Sequence, residues 1–111
     1  MGPKQIALWA KEAALTKKAN DAVILEMKGL SPIIDYFVIV SGNSSVHLQA
    51  IADAVKERMN TEGIKINHIE GYQQARWALL DYGEVVVHIF HEPVRRFYDL
   101  ENLWGDAKVI K

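Results

Sequence analysis

The sequence predicts a single α/β domain of the α+β kind, a mixed five-stranded sheet flanked by helices. Three observations predict it. Two segments carry helical apolar stripes that need a sheet to cover them. Tyr36 to Ser41 (YFVIVS) is an almost continuous apolar run rich in β-branched residues, as expected of a central strand. Finally, Arg76 to Asp81 and Val85 to His91 have strand composition, with Tyr82-Gly83 at a turn between them, and read as a β-hairpin. At 111 residues the chain suffices for one compact domain and not for two.

Taken in order, Pro3 suits a first helical turn. Ile6, Trp9, Ala10, Ala13, Ala14 and Lys17 then mark a stripe through a strongly helix-forming segment, which Asn20-Asp21 ends. Ala22 to Lys28 is an expected strand, stopped by Gly29 and the Ser31-Pro32 break. After the central strand, Gly42-Asn43-Ser44-Ser45 supplies a tight turn and N-cap candidates. The next helix places Leu48, Ile51, Ala52, Val55 and Met59 on one face, and Gly63 is a good residue just past its end. A short strand near Ile64 to Ile69 comes next, then a loop through Glu70-Gly71-Tyr72, then the hairpin. Pro93 closes the hairpin, and Tyr98 to Trp104 is expected to add a short helical turn. The order is α-β-β-α-β-β-β. Strand, helix and strand in the middle predict a parallel crossover, whereas the hairpin must be antiparallel.

Composition excludes several classes. Half of the residues are hydrophobic, so a packed core is expected and general disorder is not. With 13 basic and 14 acidic residues the net charge is -1. A free-standing nucleic-acid binder would carry a basic surplus to neutralise phosphates. The chain has no Cys, hence no disulfide, thiolate metal site or Cys nucleophile, which fits a reducing compartment. No apolar run approaches the roughly 20 residues of a membrane span. The N-terminus lacks a signal peptide's apolar block and an Arg-rich transit sequence, and Ile6 stands where a myristoylation signal has Ser or Thr. A soluble cytoplasmic protein is expected.

The Gly42 to Ser45 junction between strand and helix is where an enzyme would receive a phosphate, on the backbone N–H groups of a helix N-terminus. Nucleotidyltransferases use a comparable Gly-Ser junction together with paired carboxylates on a neighbouring strand. No such pair occurs on the strands expected after it, since Asp99-Leu100-Glu101 falls in the expected helical turn, and neither a Walker Lys nor a GxGxxG fingerprint is present. Simple helix capping is the favoured reading; a nucleotide-binding enzyme using this turn is the alternative. His88 and His91 point to opposite faces of one strand and cannot share a metal, and His47 and His68 lack zinc-ligand spacing. Ser44 and Ser45 sit in no nucleophile elbow. No metal or cofactor is expected.

The hairpin offers more. Side chains alternate, so Trp77, Leu79 and Asp81 share one face with Val86, His88 and Phe90. Ala78, Leu80, Val85, Val87 and Ile89 share the other, purely aliphatic face. Trp77, Phe90, Phe97, Tyr98 and Trp104 fall close together although the chain is only 9% aromatic. Trp, Tyr and Arg are the residue types that anchor interfaces. Trp77 and Leu79 are accordingly expected to be accessible in the free protein, whereas Ala78, Leu80 and the alternating valines are not. For Phe97 and Trp104, core and interface are equally open.

Three segments, FVIVSGNSSVHLQAIADAV, WALLDYGEVVVHIF and RRFYDLENLWGDA, resemble in order and spacing the ribosomal silencing factor family, also called RsfS, RsfA or Iojap-related. The resemblance runs from the first helix to Ala107, making residues 1–107 the domain and Lys108 to Lys111 a tail outside the pattern. It implies a non-enzymatic protein with a nucleotidyltransferase-like fold that lacks catalytic carboxylates. It also implies binding to the large ribosomal subunit through ribosomal protein L-fourteen. The resemblance implies further that occupying that surface blocks joining of the small subunit and lowers translation in stationary phase or under nutrient limitation. Transferred to this chain, the contact surface comprises Trp77 and Leu79 as apolar anchors. Asp81, Glu92 and Arg95 add charge complementarity, with His88 and Phe90 beside them. Tyr98, Leu100, Glu101 and Trp104 belong to the same motif, as contacts or as packing. The same face also suits a homodimer in the free state. Little direct nucleic-acid contact and no membrane contact are expected.

Overall fold

The computed structural model describes residues 2–110. Met1 and Lys111, the first residue of the expected domain and the last of the expected tail, lie outside the described residues. Helix α1 (Pro3–Thr16) begins with proline in its first turn, where a missing N–H costs nothing, and turns Ala7, Ala10, Ala13 and Ala14 inward. Such small side chains let it lie close against its neighbours. Helix α2 (Ser45–Thr61) is capped by Ser44, whose hydroxyl accepts from the His47 backbone N–H at 3.1 Å. Its buried stripe is Leu48, Ile51, Ala52, Val55 and Met59, as the 3.6-residue spacing predicts.

Among the described residues six strands form one sheet: β1 (Asn20–Glu26), β2 (Tyr36–Gly42), β3 (His68–Glu70), β4 (Trp77–Asp81), β5 (Val85–His91) and β6 (Lys108–Ile110). Their spatial order is β3-β4-β5-β2-β1-β6. The β2–β5 pair is parallel; all others are antiparallel. The mixed α/β domain is as expected, with one strand more. Lys108–Ile110, expected as a tail, pairs with Ile24–Glu26 and closes one edge. The crossover through α2 does reach a strand running parallel to β2, but that strand is β3 at the far edge. The chain then returns through the β4–β5 hairpin, and β5 becomes the neighbour of β2. Pro93 does more than close the hairpin: Glu92 and Pro93 open helix α3 (Glu92–Tyr98), which leads through Asp99, in the left-handed conformation at φ 49°, into α4 (Leu100–Leu103).

One face of the sheet packs against α1 and α2 through Ile24, Val38, Val40, Ala78, Leu80, Val85, Val87 and Ile89. The opposite face carries Leu25, Phe37, Ile39, Val86 and Phe90, with Val94, Leu100, Trp104 and Ala107 folded over them. The second layer is thinner, and it sits over β2 and β5 more than over β4.

Ile51 is fully buried in the α2 stripe. Ile51→Asp would place an unpaired carboxylate there, at a cost comparable to the whole stability of a domain of this size, about 5–15 kcal/mol. Thermal denaturation followed by circular dichroism should show no cooperative transition; a wild-type melt would refute this packing.

Candidate functional site

The hairpin register sets the site. Trp77 lies opposite Phe90, Leu79 opposite His88 and Asp81 opposite Val86, all on the face away from α1 and α2. On the neighbouring edge strand Glu70 stands opposite Leu79 and extends the row. Gly71 precedes the hairpin at φ +78°, and a Cβ there would lie 2.0 Å from the Trp77 carbonyl oxygen. That close approach is open to glycine alone, and it fixes where β4 begins. Asp81 accepts the Gly83 backbone N–H at 2.8 Å, and Gly83 takes φ +89°. The carboxylate thus steadies the turn that holds the register.

Aromatic rings are stacked across this face. The Trp77 indole lies on Phe90, with centroids 4.9 Å apart and planes at 28°, and Tyr98 covers it at 4.8 Å. Phe97 meets Tyr98 edge-on at 5.2 Å. Trp77 N–H donates to His88 Nδ1 at 3.1 Å, so the neutral imidazole carries its proton on Nε2. Phe37 meets His88 edge-on at 4.6 Å and continues to Trp104 at 6.3 Å. Trp77 and Trp104 are therefore joined through two buried rings.

The expected contact residues divide into two groups. Trp77, Leu79, Asp81, Glu92, Leu100, Glu101 and Trp104 are half-buried, and Tyr98 is exposed. Ala78, Leu80, Val85 and Val87 are buried, as the alternation predicts; Val86, on the opposite face, is buried as well. His88, Phe90 and Arg95, however, are 4%, 0% and 6% exposed and form the underside of the surface. The α3–α4 segment covers the first two. Arg95 turns inward as a clamp: Nε and Nη2 donate to the two Glu101 oxygens at 3.1 and 2.8 Å, and Nη1 donates to Ser41 Oγ at 2.8 Å. Glu92 holds Arg96 at 3.1 Å, four residues on along α3. Phe97, for which core and interface were both open, is 81% exposed and belongs to the surface, as does Leu103 at 70%, which the sequence did not single out. Without the helices the outward face of this segment was unreadable. A shallow hollow of about 410 Å³ beside Trp77 and Leu79 is lined by Glu70, Gly71, Gln74 and Arg76.

Elsewhere, the Gly42–Ser45 junction is occupied by its own capping. Ser44 caps α2, and His47 Nδ1 accepts the Asn43 backbone N–H at 2.8 Å. Among the described residues no group of three or more His, Asp or Glu is placed to hold a metal ion. No described helix is long and apolar enough to cross a membrane.

Comparison with known proteins gives the chain its family. Residues 2–111 match the family described as "Ribosomal silencing factor during starvation". The chain belongs to the ribosomal silencing factor family. It is 47% identical over 111 residues to ribosomal silencing factor RsfS of Halalkalibacterium halodurans, covering 100% of this chain and 95% of that one. It is 46% identical over 107 residues to the Bacillus subtilis RsfS, covering 96% and 91%. A crystal structure of a Chromobacterium violaceum protein superimposes with a TM-score of 0.92 at 32% identity, covering 95% of this chain and 88% of that one. The family is one of ribosome-associated regulators, so the resemblance read from the three segments holds.

Burial pushes the His88 imidazole down to about 4, against about 6.5 in an unfolded chain. The unfolded chain therefore binds a proton that the folded chain does not, and stability rises with pH between these values. The contribution is complete above about pH 6.5 and is lost as pH falls toward 4, a total of about 3 kcal/mol. Urea denaturation at pH 7 and pH 4.5 should show a larger loss in the wild type than in His88→Asn. Equal losses would contradict a buried neutral imidazole.

Proposed function

We propose that this chain represses translation by binding the large ribosomal subunit through ribosomal protein L-fourteen and blocking joining of the small subunit, under nutrient limitation or in stationary phase. The observation that carries this reading is the aromatic platform of Trp77, Phe97 and Tyr98. Trp77, half-buried, stands on the hairpin and the exposed Phe97 and Tyr98 stand on α3, in a chain of a ribosomal silencing family. An apolar surface of this kind is a liability unless a partner covers it. Contact residues on this reading are Trp77, Leu79, Tyr98, Leu100 and Trp104, rimmed by Asp81, Glu92 and Glu101. His88, Phe90 and Arg95 support them from beneath.

The charge around the platform suits a protein partner with basic side chains. With Glu92 paired to Arg96 and Glu101 to Arg95, Glu70, Asp81 and Asp99 remain against Arg76. Such a rim steers toward positive surfaces and away from bare phosphate. It also explains how a ribosome-directed protein can be near neutral. On this reading the protein acts in the cytoplasm, without catalysis or cofactor, and self-association through the same face would compete with ribosome binding.

Trp77→Glu tests the surface. The substituted side chain is half-buried at the rim of the sheet, so the chain should still melt cooperatively. Co-sedimentation with purified large subunits should weaken by about thirtyfold, the effect of losing an interface anchor worth about 2 kcal/mol. Undiminished co-sedimentation would remove Trp77 from the contact. A wild-type protein that fails to reduce association of purified small and large subunits would overturn the mechanism.

A further inference from the structure

Trp77 is restrained by two kinds of contact that do different things. Packing against Phe90, stacked at 28°, and against Tyr98, inclined at 47°, limits the tilt of the indole but leaves it free to turn in its own plane. A hydrogen bond is directional in that plane, and Trp77 makes one, from its ring N–H to His88 Nδ1 at 3.1 Å. The acceptor is itself fixed. His88 lies in the centre of β5, buried, opposite Leu79 on one side and Ile39 on the other, with Phe37 edge-on against its ring. Its second nitrogen, Nε2, is buried with no hydrogen-bond partner among the described residues. A histidine kept merely to fill the core would be replaceable by an apolar ring with no such unpaired donor. Its one polar task among the described residues is to accept the indole N–H.

We infer that His88 is a positioning residue for the Trp77 anchor: it fixes the in-plane orientation of the indole and withdraws its one polar group from the surface offered to the partner. The ring then presents a wholly apolar edge, already oriented before binding, which spares the ordering that a loose side chain would undergo on contact. The partner's complementary site at Trp77 is therefore apolar and needs no acceptor for the indole. This inference rests on the reading of Trp77 as a contact residue, but its physical core can be measured in the free protein.

Nitrogen-15 NMR of the wild type should show His88 as the neutral Nε2–H tautomer and one of the three indole N–H groups strongly protected from hydrogen exchange. The opposite tautomer would overturn the inference outright. His88→Phe keeps a ring and removes the acceptor, whereas His88→Asn places an amide oxygen near the position of Nδ1. In His88→Phe the Trp77 indole should exchange about tenfold faster or more, with Trp9 and Trp104 unchanged. Binding to purified large subunits should weaken about fivefold, the equivalent of one hydrogen bond. His88→Asn should recover most of both. If His88→Phe does not fold, the wild-type tautomer and the Asn variant still decide the matter. Unchanged exchange and affinity in His88→Phe would reduce His88 to core filling. Changed exchange with unchanged affinity would retain the hydrogen bond but overturn its role in presenting the anchor. Trp77→Ala that binds as the wild type does would instead refute the contact reading itself.

Discussion

The parallel pairing of β2 with β5 is the constraint on which the rest of the molecule depends. All seven residues of β2 and the first six of β5 are buried, so this pair must be covered on both faces. Helices of 14 and 17 residues cover one face fully. The other is covered by the segment after the hairpin, helices of only seven and four residues with Leu100, Trp104 and Ala107. That material shields His88 and Phe90 and reaches β4 only in part, where Tyr98 lies over Trp77. The half-exposed Trp77 and Leu79 are left at the edge of an incomplete second layer.

Short helices do not hold themselves in place, because so few turns barely offset the cost of nucleation. Arg95 supplies the tether. Its guanidinium ties α3 to Glu101 beyond the Asp99 bend and to Ser41 on β2. A buried cation is tolerable only when its donors are satisfied, and four contacts, including the Asn20 carbonyl at 3.4 Å, meet that demand. The position of Tyr98 over Trp77 is thereby referred back to the middle of the sheet. A charge that looked from the sequence like part of a recognition surface is instead the group that keeps that surface in register.

Period-two and 3.6-residue patterns made the hairpin faces and the α2 stripe legible, because those signals are local. They reported which side chains share a face but not whether a distant segment covers it, which is why His88 and Phe90 were expected beside Trp77 and are found beneath it. Helix α3 was hidden by reading Pro93 as a breaker; at the first turn of a helix a missing N–H is harmless, and Glu92 with Arg95 and Arg96 gave the charge order of a helix dipole. Strand β6 has three residues, too few to show alternation, and its partner β1 is remote in sequence. The indole-to-imidazole hydrogen bond depends on two rotamers and a tautomer, none of which a sequence displays.

The two margins of the sheet are short. β3 and β6 have three residues each, and they carry His68, Glu70 and Lys108. Little free backbone is therefore offered to another chain, and charge discourages pairing along the remainder. A protein that must keep an aromatic platform exposed cannot also tolerate an adhesive backbone, because each would amplify aggregation through the other. Here stickiness is confined to side chains, whose chemistry can select a partner, and is withheld from main-chain edges, which would accept almost any strand.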